Sequence, residues 1–236
     1  VARIKGRVRI MAEQLIKIAA QRMTARAEPL EPQTGGVAEF CARFGFAETD
    51  DQLAAIEDVV GDLASGRATD RLICGDVGFG KTEVALRAAF IAAMSGYQVA
   101  LVAPTTLLAR QHGRVFTERF AGFPITIGVL SRMTQPAAAK DIRAGIASGD
   151  VQIAVGTHAL LAKSIEFNNL GLLIVDEEHD SSYKQEDLES AYPLSYSARD
   201  LALMRGQRQR ALVVLGSATP SLESYANVEQ GKYTLY

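Results

Sequence analysis

An α/β fold, with a mostly parallel sheet and helices on both faces, is predicted by three features of this sequence. Six short apolar runs alternate with helix-length segments, one run enters a glycine-rich turn followed by a strong helix pattern, and another ends abruptly in acids at "LLIVDEEH" (172–179). Runs apolar at every position suit strands covered on both faces, and strands separated by crossovers suit parallel pairing.

Taken in order, residues 3–26 place Ile4, Val8, Met11, Leu15 and Ile18 at helical spacing. Arg3, Lys5, Arg7, Arg9, Lys17, Arg22 and Arg26 face only Glu13 in this stretch, so a basic amphipathic helix is expected. Its charges read first as a solvated face on a docked helix and second as phosphate contacts. "AEPLEPQTGGV" (27–37) concentrates proline and glycine and reads as a linker, which divides the chain into residues 1–44 and a main domain over 45–236. In "FGFAETDDQLAAIEDV" (44–59), Thr49-x-x-Gln52 is a capping box that starts a helix. Strands are expected at "RLICG" (71–75), "QVALVAP" (98–104), "ITIGVL" (125–130), "VQIAVG" (151–156), "LGLLIVD" (170–176) and "ALVVLGS" (211–217). Helices follow at "TEVALRAAFIAAMSG" and "TLLARQHGRVFTERF". Within "DSSYKQEDLESAYPLSYSARD" (180–200), Tyr183 and Lys184 read as surface packing, with base stacking and charge neutralisation on nucleic acid as the functional alternative. Arg205, Arg208 and Arg210 in "RGQRQR" read as a solvated turn before the last strand.

With 48% hydrophobic and 22% charged residues the chain can bury a core, which excludes global disorder. A formal charge of -2 gives no global sign of nucleic-acid binding, so any such contact is local. Cys41 and Cys74 are too few for a disulfide framework or a four-ligand zinc site, and a reducing cytoplasm suits them. No run reaches eighteen consecutive apolar residues, so no membrane span is expected. The first residue is Val, as in a piece of a longer protein.

"GDVGFGKT" (75–82) fits G-x-x-x-x-G-K-[ST], between a strand-like run and a helix pattern. Glycines let backbone N–H groups close around phosphate oxygens, and a helix N-terminus adds partial positive charge. Gly75, Asp76, Val77, Gly78, Phe79 and Gly80, with Lys81, Thr82 and Glu83 at the helix start, form the expected ATP site. Lys81 would reach the terminal phosphates and the Thr82 hydroxyl would ligate Mg²⁺. Asp176 lies where a strand from Leu172 to Val175 ends, which suits a second Mg²⁺ ligand acting through water. Glu177 suits the base that orients and deprotonates the attacking water. Glu178 and His179 complete a D-E-x-H box.

With "GDVGFGKT" and "DEEH" in place, "GSATP" (216–220) makes the chain resemble superfamily 2 helicases and translocases. The resemblance implies a RecA-like P-loop NTPase lobe, in which Ser217, Ala218 and Thr219 couple nucleotide to nucleic acid and His179 is their neighbour. It implies adenine recognition by Gln52, with Phe44 and Phe46 upstream. It places nucleic-acid contacts at Pro104, Thr105, Thr106 and Gln111 in "APTTLLARQ", Ser131 and Arg132 in "VLSR", and Gly156, Thr157 and His158 in "VGTHALL". Hydroxyls and open backbone suit such contacts, since they bind phosphates without reading sequence.

Up to about residue 178, "DRLICGDVGFGKTEVALRAAF", "FTERFAGFPITIGVLSR" and "NNLGLLIVDEEH" are similar to the motor of bacterial transcription-repair coupling factors and, less closely, to RecG. That similarity implies duplex DNA as the track and RNA polymerase as a partner. Beyond His179, "DEEHDSSYKQ", "YSARDLALMR" and "VVLGSATPSLESYANVEQGKY" resemble the primosomal replication-restart helicases. Motors of this superfamily have a second RecA-like lobe with arginine fingers, and no Gln-x-x-Gly-Arg box occurs in this sequence. The expectation is a lobe that binds ATP–Mg²⁺, hydrolyses it poorly alone and needs that second lobe. The rival class is a nucleotide-dependent DNA-binding module without catalysis.

Overall fold

The computed structural model describes residues 27–30, 34–76, 78–186 and 195–236. The basic helix expected over residues 3–26, part of the linker and Val77 lie outside them. Helix α1 (Thr34–Ala42) leads into α2 (Asp50–Ala64), which begins at the expected capping box: Gln52 N–H donates to Thr49 Oγ1 and Thr49 N–H to Gln52 Oε1. Then come β1 (Asp70–Cys74), α3 (Lys81–Met94), β2 (Gln98–Val102), α4 (Thr106–Arg119), β3 (Ile127–Leu130), α5 (Pro136–Ser148), β4 (Ile153–Gly156) and β5 (Leu170–Val175). A short antiparallel pair, β6 (Lys184–Glu186) and β7 (Ser195–Ser197), precedes α6 (Ala198–Gln209), β8 (Leu212–Ser217), α7 (Leu222–Glu229) and β9 (Thr234–Leu235).

Seven strands form one sheet in the order β3-β4-β2-β5-β8-β1-β9, and every neighbouring pair is parallel. All six strands expected from the sequence belong to it. Successive side chains of a strand point to opposite faces, and the core divides accordingly. Val99 and Leu101 of β2 pack with Ile56 and Val59 of α2, Phe90 of α3 and Phe116 of α4. Ala100 and Val102 pack instead with Ile146 of α5 and Ala198 and Ala202 of α6. Each large side chain buried this way contributes about 1.5–3 kcal/mol. Phe40 stacks on Phe90 with ring centroids 4.3 Å apart, which fastens α1 to α3.

Three local expectations change. The stretch expected as a linker over 27–37 runs into α1 from Thr34, and Leu30 and Phe40 lie in the core of the main domain, so the expected boundary at residue 45 does not separate them from it. Arg205 and Arg208 belong to α6 rather than to a turn; Arg210 alone ends that helix, with φ 55°. Arg205 is tied down, its guanidinium donating to the carbonyls of Ile165 and Ala162 at 2.9 Å each. Strand β9, not anticipated from its two residues, lies beside β1, and Cys74 N–H donates to Tyr236 O (2.9 Å). Because all seven strands run the same way, the segments after Cys74, Val102, Leu130, Gly156, Val175 and Ser217 all leave one edge of the sheet. Open parallel sheets bind ligands at that edge.

Candidate nucleotide site and nucleic-acid groove

After β1 the chain turns tightly, with Gly78 at φ 86° and Gly80 at φ 82°, a backbone region closed to most side chains. Helix α3 starts at Lys81 with Gly80 as its cap, so the loop ends on a helix N-terminus. The Lys81 ammonium folds over the loop and donates to the carbonyls of Gly75 (2.5 Å) and Asp76 (3.1 Å). Gln52 spans the gap between α2 and the loop: its amide donates to Phe79 O at 2.5 Å. A side chain on Gly80 would run into that amide. Phe46 is 79% exposed and meets Phe44 edge-on at 5.7 Å, so its ring is open to a ligand.

Glu83 departs from the expectation. Its carboxylate is buried and accepts from Arg87 Nε (2.9 Å) and Arg119 (3.0 Å), while its N–H donates to Gly80 O. An unpaired buried carboxylate is costly, so these arginines hold it as part of the frame and it does not face the phosphate loop.

Lys81, Thr82 and Asp176 line one pocket, together with His112 and Gly216. Asp176 begins where β5 ends, its N–H donating to Val102 O (2.9 Å), and its Oδ2 lies 2.7 Å from His112 Nε2. A hydroxyl and a carboxylate are hard oxygen donors of the kind Mg²⁺ prefers. One hydroxyl and one carboxylate suit an ion shared with phosphates, since Mg²⁺ is usually held by one or two carboxylates together with substrate phosphates.

The next three residues serve different neighbours. Glu177 sits at φ 48°, a strained setting for a side chain with a Cβ, and its Oε2 lies 3.6 Å from His179 Nδ1. His179 Nδ1 is also 2.6 Å from Ser217 Oγ, which in turn accepts from Thr219 N–H (3.2 Å). Glu178 points into the protein. Its carboxylate accepts from Ser221 N–H (2.7 Å), Ser224 Oγ (2.8 Å), Ser221 Oγ (3.2 Å) and Arg199 (3.1 Å). The acid box is thereby fastened to the segment after "GSATP" and to the start of α6.

Tyr183 corrects another expectation. It is buried, not on the surface, and its hydroxyl bridges Asp176 O (2.7 Å) and Val102 O (2.9 Å). Burial, reinforced by Asp176 and neighbouring acids, raises its pKa, so the phenol stays a protonated donor and has no face free for a base. Lys184 beside it is exposed.

The residues expected to contact nucleic acid divide. Thr105 is exposed and caps α4, accepting from Leu108 N–H (3.2 Å); Gln111 and Arg132 are exposed, and Thr106, Ser131 and His158 are half-buried. Ser131 shapes its own turn, its Oγ accepting from Met133 N–H (3.3 Å). Pro104, Gly156 and Thr157 lie inside: Gly156 is paired in β4 against Leu130 with no space for a side chain, and Thr157 is 5% exposed. The groove surface is therefore narrower than the motif residues suggest. Ala218 and Thr219, by contrast, are at least partly exposed beside buried Ser217.

Two features escaped the sequence reading. His112 falls with Ala109, Gly113 and Phe116 in the buried stripe of α4. A polar residue in such a stripe requires a partner, and that signal was legible. Glu178 and Arg199, 21 positions apart, carried no comparable signal.

Comparison with known proteins places this geometry. The DEAD/DEAH box helicase model matches residues 49–228. The transcription-repair-coupling factor of Rickettsia typhi is 47% identical over 206 residues, covering 86% of this chain and 18% of the relative. That of Mycobacterium tuberculosis is 48% identical over 171 residues, covering 72% and 14%. The Rickettsia prowazekii relative aligns over 94% of the chain, a span that includes the part beyond His179. The chain thus spans about a fifth or less of the length of these curated relatives. Among solved structures, RecG bound to a three-way DNA junction superposes with a TM-score of 0.72 and 30% identity, over 93% of this chain and 28% of that one. Motifs, sheet order and these matches agree: the chain belongs to the DEAD/DEAH box helicase family.

Proposed function

We propose that this chain is the ATP-binding lobe of an ATP-dependent DNA translocase acting in DNA repair, in which hydrolysis drives movement on DNA once a second lobe completes the site. The observation that carries this reading is the shared pocket of Lys81, Thr82 and Asp176, whose acid box is hydrogen-bonded through His179 to Ser217. Lys81 and the loop backbone would hold the phosphates of ATP, and Thr82 and Asp176 would hold Mg²⁺, which neutralises charge on the transferring phosphoryl group. Glu177 orients and deprotonates the attacking water. Gln52, with its amide on the loop and Phe46 nearby in sequence, suits the adenine. Thr105, Thr106, Gln111, Ser131, Arg132 and His158 suit the phosphates of duplex DNA, read without sequence preference. Similarity to the coupling factors supports the repair assignment, and RNA polymerase as a partner and a cytoplasmic location are part of the same proposal. Among the described residues no helix is long and apolar enough to cross a membrane.

A second reading, a replication-restart lobe, draws on one observation. Arg199, Ser221 and Ser224, all from the stretch that resembles the restart helicases, converge on Glu178.

The test of the main reading is Glu177→Gln in a protein that includes the second lobe. ATP binding should persist while DNA-stimulated turnover falls by about 10²–10⁴-fold, the range for losing a general base. Unchanged turnover would leave only the nucleotide-dependent binding module.

A further inference from the structure

We propose that His112 is a positioning residue for Asp176, holding one carboxylate oxygen so that the other is presented to the metal. The inference rests on the reading of Asp176 as a metal ligand given above. His112 Nε2 lies 2.7 Å from Asp176 Oδ2, and both side chains line the pocket that also holds Lys81 and Thr82. Asp176 Oδ1 lies on the side of Gly216, which carries no side chain to cover it. A carboxylate on a strand end can rotate about its last bond, and a single directed N–H donor at this distance removes that freedom. Since the carboxylate only accepts, the ring serves as donor through Nε2–H.

The imidazole is itself immobilised. It is 11% exposed, in a helix packed so closely on β3 that a Cβ on the adjacent Gly113 would lie 2.5 Å from Val129. At its start α4 is capped by Thr105, and at its end Arg119 grips Glu83, just past the phosphate loop (3.0 Å). The same helix therefore carries Thr105, Thr106 and Gln111 on the proposed groove and His112 on the proposed metal ligand. Hydrogen-bond partners that orient metal ligands matter at this scale: removing one costs about 10–100-fold in metal affinity.

The experiment titrates Mn²⁺, as a paramagnetic stand-in for Mg²⁺, into this chain with ADP bound, and reads free Mn²⁺ by electron spin resonance. His112→Ala should weaken Mn²⁺ by about 10–100-fold. His112→Gln, whose amide reaches the Nε2 position, should restore most of the affinity, and metal-free ADP affinity should be the same in all three proteins. Equal Mn²⁺ affinity in the alanine variant and the parent overturns the proposal, as does equal loss in the alanine and glutamine variants. If the alanine variant does not fold, His112→Asn replaces it. Its amide reaches the Nδ1 position, so affinity should be lost in Asn and kept in Gln, and equal affinities overturn the proposal. Asp176→Asn separates the two levels: if it leaves Mn²⁺ affinity unchanged, the reading of the metal site fails and takes this inference with it.

Discussion

The carboxyl edge of the sheet is built in two ways. Behind β1, β5 and β8, side chains are locked to one another: Lys81 to the loop carbonyls, His179 to Ser217, and Glu178 to Arg199 and two serines. Behind β2 and β3, Thr105, Gln111 and Arg132 stand exposed, and the hydrogen bonds of Thr105 and Ser131 are local to their own turns. The difference follows from the work proposed for each half. Phosphoryl transfer depends on positioning to a fraction of an ångström, so its groups are cross-braced. Holding a DNA backbone of any sequence depends on accessible donors, so those groups are left free.

Mutations can break that contrast, and the largest effect should come from the braced half. Glu178→Ala leaves the Arg199 side chain, 12% exposed, without its fully buried carboxylate partner, so that only the partly exposed Asp200 still pairs with it. Removing one partner of a buried pair costs about 3–5 kcal/mol, measurable by urea denaturation. A loss below about 1 kcal/mol, the net worth of one ordinary hydrogen bond, would show the bracing to be superficial. An intermediate effect is expected on the open half. Arg132→Ala should leave the melting temperature unchanged, weaken DNA binding uniformly across sequences, and lower the salt slope of that binding by about one. A sequence-selective loss would contradict the backbone-contact assignment.

The smallest effect concerns His158, which lies on the open half but has a buried Nδ1 with no hydrogen-bond partner among the described residues. Burial, and then the charge of Arg132, lower its pKa from the ordinary 6.5. Below that ordinary value the unfolded chain takes up a proton that the folded chain resists. The associated stability is fully present above it and is lost as pH falls through the lower native value. Melting at about pH 7.5 and about pH 5.5 should therefore show a slight acid destabilisation that His158→Gln removes.

What could be read in advance tracks how local each signal is. Strands β2 and β5 announce themselves because both their faces are buried, so Val99 to Val102 and Leu172 to Val175 are apolar at every position. The phosphate loop is legible because positive φ and close approach confine its spacing to glycines. Tyr183 was not, since its acidic and serine-rich surroundings suggest solvent while tertiary packing closes β2 and β5 over it. Glu83 misled for a related reason: adjacency to Lys81 implied a shared site, but a helix turns successive residues about 100° apart and sends this one to Arg87 and Arg119. The Glu178 network joins residues 21 to 46 positions apart, a separation without periodicity to follow.

The sheet order has a mechanical consequence. Strand β8 lies between β5, which bears Asp176, and β1, which leads to Lys81, with Leu72 paired to Leu215 on one side and Val175 to the same Leu215 on the other. Any sliding of one half of the nucleotide pocket past the other must shear the ladder through Leu215. Ser217, two residues further on, ends that strand, and His179 Nδ1 lies 2.6 Å from its hydroxyl.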